Sequence, residues 1–252
     1  TSFISINDVK ANEPFLFEVT EIEILNNGNK IYGYKGGTAT TEDGSTITAN
    51  NFYYNKLTNI LETTGNVRYF DKIKKIIITT DKAIYLKNEE KIFSIGNSKA
   101  VSDDNNIQAH KLEYDKINNI FKAKKEAIVK DLKKDITIYA DEITYFRNDE
   151  KIFTEGNTKA LIEKKYIFNS KDVTYLRNTG KLFSQNKSSL KDDSGNIYKL
   201  DNFSYNIDKE LLKGKKIEVL AKVDKNKTDQ YFFSEGFFNF KDKSHLAKET
   251  KI

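Results

Sequence analysis

Between Tyr139 and Ile162 the chain alternates, turns and alternates again. Ile143 and Tyr145 fall on one side of an extended backbone and Glu142 and Thr144 on the other, the period-two pattern of a half-buried strand. Arg147-Asn-Asp-Glu-Lys151 follows, a polar cluster of the kind that joins antiparallel strands. The pattern resumes at Phe153, skips Thr154 and passes Gly156 on its way to Ala160 and Ile162. Counted from the tyrosine, the apolar offsets here are −2, 0, +8, +15 and +17, whereas residues 50–69 place Phe52, Tyr54, Leu61, Val67 and Tyr69 at −2, 0, +7, +13 and +15. The register past the glycine therefore stays open by a residue or two, and a one-residue slip would turn a strand over.

The unit recurs. Tyr54, Tyr85, Tyr114, Tyr145, Tyr175 and Tyr205 follow one another at spacings of 31, 29, 31, 30 and 30, with outlying copies around Ile24 and Phe240. Each tyrosine leads through a polar turn to an apolar pair, such as Ile60-Leu61, Ile92-Phe93 or Ile152-Phe153, and three copies add Gly-Asn at 65–66, 96–97 and 156–157. A fixed period of this length means a stacked architecture in which each repeat buries its apolar side against its neighbours. Two strands per copy predict an all-β domain of about sixteen antiparallel strands built from ~30-residue repeats. Helical spacing with caps is missing, and the Gly-Asn sites suit bulges where strands turn a corner. Residues 16–252 read as one elongated domain, with 1–15 as a lead-in.

The six tyrosines and their −2 partners Phe52, Ala83, Leu112, Ile143, Val173 and Phe203 would align from repeat to repeat. Such a stripe is either the core of a packed β-solenoid or the lining of an apolar groove. A dry core would need a partner for every buried hydroxyl, so a row of tyrosines also fits a surface that is apolar yet partly open.

Composition narrows the function. No run of eighteen apolar residues occurs, so nothing here spans a bilayer as a helix. A chain that starts at Thr1 and lacks methionine reads as a processed or trimmed product. Without cysteine there is neither a disulfide framework nor a thiolate metal site. The net charge of +5 is carried almost wholly by lysine, and basic and acidic residues alternate, as in Lys87-Asn-Glu-Glu-Lys91. Nucleic-acid binding, with its clustered arginines, is not indicated. His110 and His245 are too few and too far apart for a local zinc motif. Glu89-Glu90 and Asp103-Asp104 read as solvated acids in turns, and no phosphate loop or nucleophile elbow appears. The chain is therefore not expected to be an enzyme, nor to hold a metal or cofactor. A polysaccharide lyase on a repetitive β fold would break the regularity with a charged cluster on one face.

Thr48-Ala-Asn-Asn-Phe-Tyr-Tyr54 with Thr64-Gly-Asn-Val-Arg-Tyr69, Ala140-Asp-Glu-Ile-Thr-Tyr145 with Glu155-Gly-Asn157, and Thr80-Asp-Lys-Ala-Ile-Tyr85 with Ile95-Gly-Asn97 resemble the repeat of the OstA-like lipopolysaccharide-transport domain. The resemblance covers roughly residues 16–252. That domain occurs in the periplasmic bridge protein LptA and at the N-terminus of the outer-membrane protein LptD. Length and the stretch Ser234–Ile252 favour the LptD type without its barrel, with a long LptA second; the flanking cysteines of many LptD proteins are missing. The resemblance implies a twisted, open β-jellyroll in the periplasm, tethered to the outer membrane in the LptD case. It would shield the acyl chains of lipid A and pass lipopolysaccharide toward the outer leaflet. The implied inward lining is Phe52, Tyr54, Leu61, Val67, Tyr69, Tyr85, Leu112, Tyr114, Ile143, Tyr145, Phe153, Val173, Tyr175, Phe203 and Tyr205. Implied partners are an LptA-type bridge protein added as a strand at the edge near Phe15–Val19, and the β-barrel with its plug lipoprotein. The alternative is a structural or adhesive β-solenoid without a lipid ligand.

Overall fold

The computed structural model describes residues 13–222 and 227–249; most of the expected lead-in and the last three residues of the C-terminal stretch lie outside the described residues. Twenty strand segments, from Phe15–Leu25 to Ser244–Lys248, belong to one sheet. Four passes of the chain are each broken in two, at Asn50, Asp172–Val173, Gln185–Lys187 and Asp201. Sixteen passes therefore make up the sheet, in line with the number read from the repeats. Each pass is antiparallel to the passes before and after it in sequence, so the whole is a meander. No α-helix occurs among the described residues, and one short 3-10 turn lies at Lys87–Glu89.

The passes from Lys30–Thr41 to Leu211–Lys222 bend once near the middle, and the bend has a counting rule. Along Ile60–Asp71 the inward residues are Leu61, Thr63, Val67, Tyr69 and Asp71, so four positions separate Thr63 from Val67. Along the neighbouring Ile76–Leu86 they are Ile76, Ile78, Thr80, Ala83 and Tyr85, with three positions from Thr80 to Ala83. The extra residue is a β-bulge, and it sharpens the local bend and twist. Gly65 and Asn66 fill it at φ 78° and 49°, a region glycine enters freely and asparagine more readily than most. Gly96-Asn97 and Gly156 repeat the device, whereas Lys125 and Glu126 adopt φ 64° and 56° without glycine. Gly156 has a second reason to lack a side chain: a Cβ there would lie 2.5 Å from Oδ2 of Asp141 on the next pass.

The corner divides each pass into a half that carries the tyrosines and a far half. The two halves face each other over one apolar core. Phe168 of the far half lies 5.0 Å from both Phe203 and Tyr205 of the tyrosine half, and Phe15 lies 5.1 Å from Tyr54. Opposite the corner no strand ladder joins the halves among the described residues. The jellyroll is open there in its hydrogen-bond topology, and side chains from the turns close it.

Candidate functional site

The six tyrosines occupy the inner face of the tyrosine half, each 0 or 1% exposed. Phe52, Leu61, Leu112, Ile143, Val173 and Phe203 join them there, and Val67 and Tyr69 lie past the corner on the inner face of the far half, none of the eight above 2%. The partial openness expected of a tyrosine row is therefore not seen; the interior is filled by its own side chains. Phe153 is a correction. It faces outward opposite Thr144, and Ile152 takes the inner place opposite Tyr145. Both residues of the pair are apolar, so polarity could not decide between them. Phe153 instead shares the outer face with Phe93, Phe183 and Phe237.

Buried hydroxyls need partners, and the partners define the open side of the fold. Tyr54 donates to Asn59 Oδ1 at 2.8 Å, Tyr85 to Glu90, Tyr114 to Asp71 Oδ2 at 3.2 Å and Tyr175 to Asp131 Oδ2 at 3.0 Å. Tyr145 accepts from Arg177 Nη1 at 2.5 Å. Asp71 and Asp131 end far-half strands, so these bonds cross from one half to the other.

Two ion clusters complete the closure. Lys116, its side chain 10% exposed, pairs with Asp43 across the seam and with Glu90 at 3.4 Å; Glu90 also accepts from Lys87. Arg177, 4% exposed, bonds Asp131 at 2.8 Å, Asp104 at 3.1 Å and Glu150 at 3.0 Å. Lys134 to Asp208 at 2.5 Å and Tyr166 to Glu210 at 2.6 Å extend the seam. The sequence separations fall into two sets: 73 or 74 residues for Lys116–Asp43, Arg177–Asp104 and Lys134–Asp208, and 43 or 44 for Tyr114–Asp71, Tyr175–Asp131 and Tyr166–Glu210. The sets differ by one repeat. Each tyrosine-half turn thus sits between two far-half turns.

Burial alone would raise Asp43 and Asp104, but hydrogen bonds from the facing cations outweigh it. Asp43 is held well below the carboxylate range by Lys116 and Thr41, and Asp104 is held at about 2 by Lys133 and Arg177. Asp131 and Glu90 are lowered in the same way, against burial, by Arg177 and by Lys87 with Tyr85. The tyrosine hydroxyls move the other way: burial raises Tyr54 to about 12 and raises Tyr114 and Tyr175 further, helped by Asp71 and Asp131. They stay neutral donors. The seam is a polar fastening around an apolar interior.

No family model and no curated protein matches the chain. Among solved structures, one that it is similar to is LptH, described as the LptA homologous periplasmic component of the conserved lipopolysaccharide transport device from Pseudomonas aeruginosa. Identity is 16%, coverage is 44% of this chain and 82% of that one, and the TM-score is 0.41. A second is the wild-type TCP10 domain of Danio rerio CPAP in complex with a peptide of Danio rerio STIL, at 10% identity, 70% and 96% coverage and a TM-score of 0.14.

The seam residues were not singled out from the sequence, although a signal exists. Two positions after each tyrosine stand Lys56, Lys87, Lys116, Arg147 and Arg177, a basic residue in five of six copies. Their backbone N–H groups all make the same bond to the preceding tyrosine-half turn. Glu90 and Asp104, expected to be solvated acids, are paired in the clusters, while Asp103 stays exposed. The series then changes. Ile207 and Phe240 take the place of the cation, and the buried hydroxyl of Tyr205 has no partner. Ile162 stands where Asp131 stands one pass-pair earlier, which removes the acceptor. A cleft of about 560 Å³ opens at this end of the seam, lined by Tyr166, Tyr198, Glu210 and Phe240.

Proposed function

We propose that the chain is a periplasmic lipopolysaccharide conduit, with the interior between the two halves as the path for lipid acyl chains. The observation that carries this reading is the asymmetry of closure. A continuous apolar interior runs through the repeats, and one of its long sides is held, among the described residues, by side-chain hydrogen bonds and ion pairs between turns rather than by a strand ladder. Such contacts part and re-form more readily than a strand ladder, and parting them would expose the tyrosine face. Acyl chains would then replace packed side chains, each methylene contributing about 0.8 kcal/mol on burial. Similar repeats make successive positions nearly equal in energy, so direction would come from supply behind the lipid.

The resemblance of the repeat to the OstA-like domain supplies the ligand class, and the LptD type is the finer form of the proposal. The strand Phe15–Leu25 pairs only with Lys30–Thr41 among the described residues; its other edge suits strand addition by a bridge protein. A photo-crosslinking residue at Tyr145, and separately at Thr144, tests the path. Lipopolysaccharide should label the first and spare the second. Equal labelling or none at either position would leave a packed structural solenoid, the reading that full burial of the tyrosines favours for the closed state.

A further inference from the structure

Where turns of opposite charge face each other across the seam, Lys116 closes on Asp43, Arg177 on Asp104 and Lys134 on Asp208. At the C-terminal end of the seam such turns face each other and stay apart. The stagger of 43 and 73 residues between facing turns places the turn after Phe240 between the far-half turns at 163–166 and 192–196. All three line the cleft of about 560 Å³. In the first of them Lys165 is engaged by Glu163 at 3.1 Å and by Glu210 at 3.7 Å. Asp192, Asp193, Lys241 and Lys243 also line the cleft, yet form no ion pair among the described residues. The two acids come from the far half and the two lysines, with His245 beside them, from the tyrosine half, so the charges stand on opposite walls. Asp242, between the lysines, is off the wall and accepts from Asn239 Nδ2 at 2.9 Å.

Between the walls the lining is aromatic. Tyr166 and Tyr198 each lie 5.3 Å, ring to ring, from Phe240, the residue that stands in place of a seam cation. Tyr205 packs behind them, its ring 5.7 Å from that of Tyr166. The lining hydroxyls are held in place: Tyr166 donates to Glu210 at 2.6 Å and Tyr198 to Asp192 Oδ2 at 3.4 Å. Asp192 is 9% exposed and also accepts from the Asn196 backbone and side chain, each at 2.8 Å, so its own loop fixes it; Asp193 is exposed. Burial, then Glu210, Asp193 and Asp192, all push the Tyr166 hydroxyl up, so the field of both aspartates reaches the aromatic lining.

We propose that this cleft binds a phosphoethanolamine headgroup, its phosphate on Lys241 and Lys243, its ammonium on Asp192 and Asp193, and its methylenes over the aromatic lining. Both ends then make charge-assisted bonds, and the ammonium also meets ring faces. Opposite walls select a ligand that carries both charges. A plain anion held by the lysines would face the aspartates, and a plain cation held by the aspartates would face the lysines. An α-amino acid has both charges on one carbon and spans too little to join walls that stand beyond ion-pair distance of each other. A primary ammonium, unlike a quaternary one, can donate to the carboxylates. The volume falls within the range of small-molecule sites. The inference does not depend on lipid transport through the interior.

Isothermal titration of the full chain with glycerophosphoethanolamine tests it, against glycerophosphoglycerol, the same phosphodiester with no ammonium, and against ethanolamine alone. Glycerophosphoethanolamine should bind about tenfold more tightly than either, the order of one charge-assisted bond. Asp193→Asn should weaken it about tenfold and remove its advantage over glycerophosphoglycerol. Lys241→Gln combined with Lys243→Gln should remove its advantage over ethanolamine. Lys72→Gln and Asp103→Asn, exposed at other seam turns, should change neither. Phosphatidylcholine vesicles with and without phosphatidylethanolamine separate the two sources of the headgroup. Sedimentation of the chain only with the second kind, lost in Asp193→Asn, supports a lipid-borne headgroup, and binding of the soluble compound alone supports a free one. No binding of glycerophosphoethanolamine overturns the proposal. So does equal binding of glycerophosphoglycerol, or a loss in the control variants as large as in Asp193→Asn.

Discussion

Tyr175→Phe and Tyr205→Phe delete the same atom from equivalent places in adjacent repeats, and they should shift stability in opposite directions. The Tyr175 hydroxyl donates to Asp131 Oδ2 at 3.0 Å in a buried setting. A hydrogen bond to a charged acceptor contributes about 1.5–3 kcal/mol, and Asp131 keeps Arg177 as a partner, so the loss stays in that range. The Tyr205 hydroxyl is equally buried and unpaired. Removing an unsatisfied polar group relieves a desolvation penalty of about 1–3 kcal/mol and leaves the ring packing against Phe168 and Tyr166 intact. For a chain of this size each kcal/mol moves the melting temperature by roughly 2–4 °C. Tyr175→Phe should therefore lower it by several degrees and Tyr205→Phe raise it by a few. Urea titrations of both variants, compared at unchanged slope, give the same ordering without heating. A midpoint for Tyr205→Phe as low as that of Tyr175→Phe would refute the account of the seam.

Further outcomes follow from the same geometry. Ile152→Ala empties an inner site and should cost about 2–5 kcal/mol, whereas Phe153→Ala on the outer face should cost well under half of that; equal losses in urea would reverse the assigned register. Gly156→Ala meets both a positive φ and Asp141, so its denaturation midpoint should fall by at least the ~1 kcal/mol of the backbone term. Because Asp43, Glu90, Asp104 and Asp131 titrate below their ordinary range when folded, the stability they lend is complete above about pH 4 and lost as pH falls toward 2. Circular dichroism from pH 5 to 2 should show a fall in stability that Arg177→Met makes shallower; an unaltered slope in that variant would count against the cluster.

The meander was legible because alternation and period are both written in single residues: a strand needs one apolar position in two, and a stack needs the same position every thirty. The count of sixteen passes follows from that arithmetic alone. Phe153 was misplaced because Ile152-Phe153 offers two apolar neighbours and the five-residue turn before them can be threaded with either facing inward. The seam was harder to see for a different reason. Arg177 meets Asp104 and Lys116 meets Asp43 across 73 residues, a stagger set by how the two halves pack and by nothing local. The acceptors alternate as well: Asp71 and Asp131 recur at every second repeat, with Ile162 standing where the intervening Tyr205 would need one. A search at the thirty-residue period passes over a sixty-residue pattern.

The central claim is that the seam opens to admit lipid to the tyrosine face. With no native cysteine, Asp43→Cys and Lys116→Cys can be joined by a short bismaleimide across the seam, in a chain carrying the photo-crosslinker at Tyr145. Lipopolysaccharide should label Tyr145 in the unjoined protein and fail to label it once the seam is locked. Labelling that is indifferent to the lock, or that never occurs at Tyr145, would contradict the account.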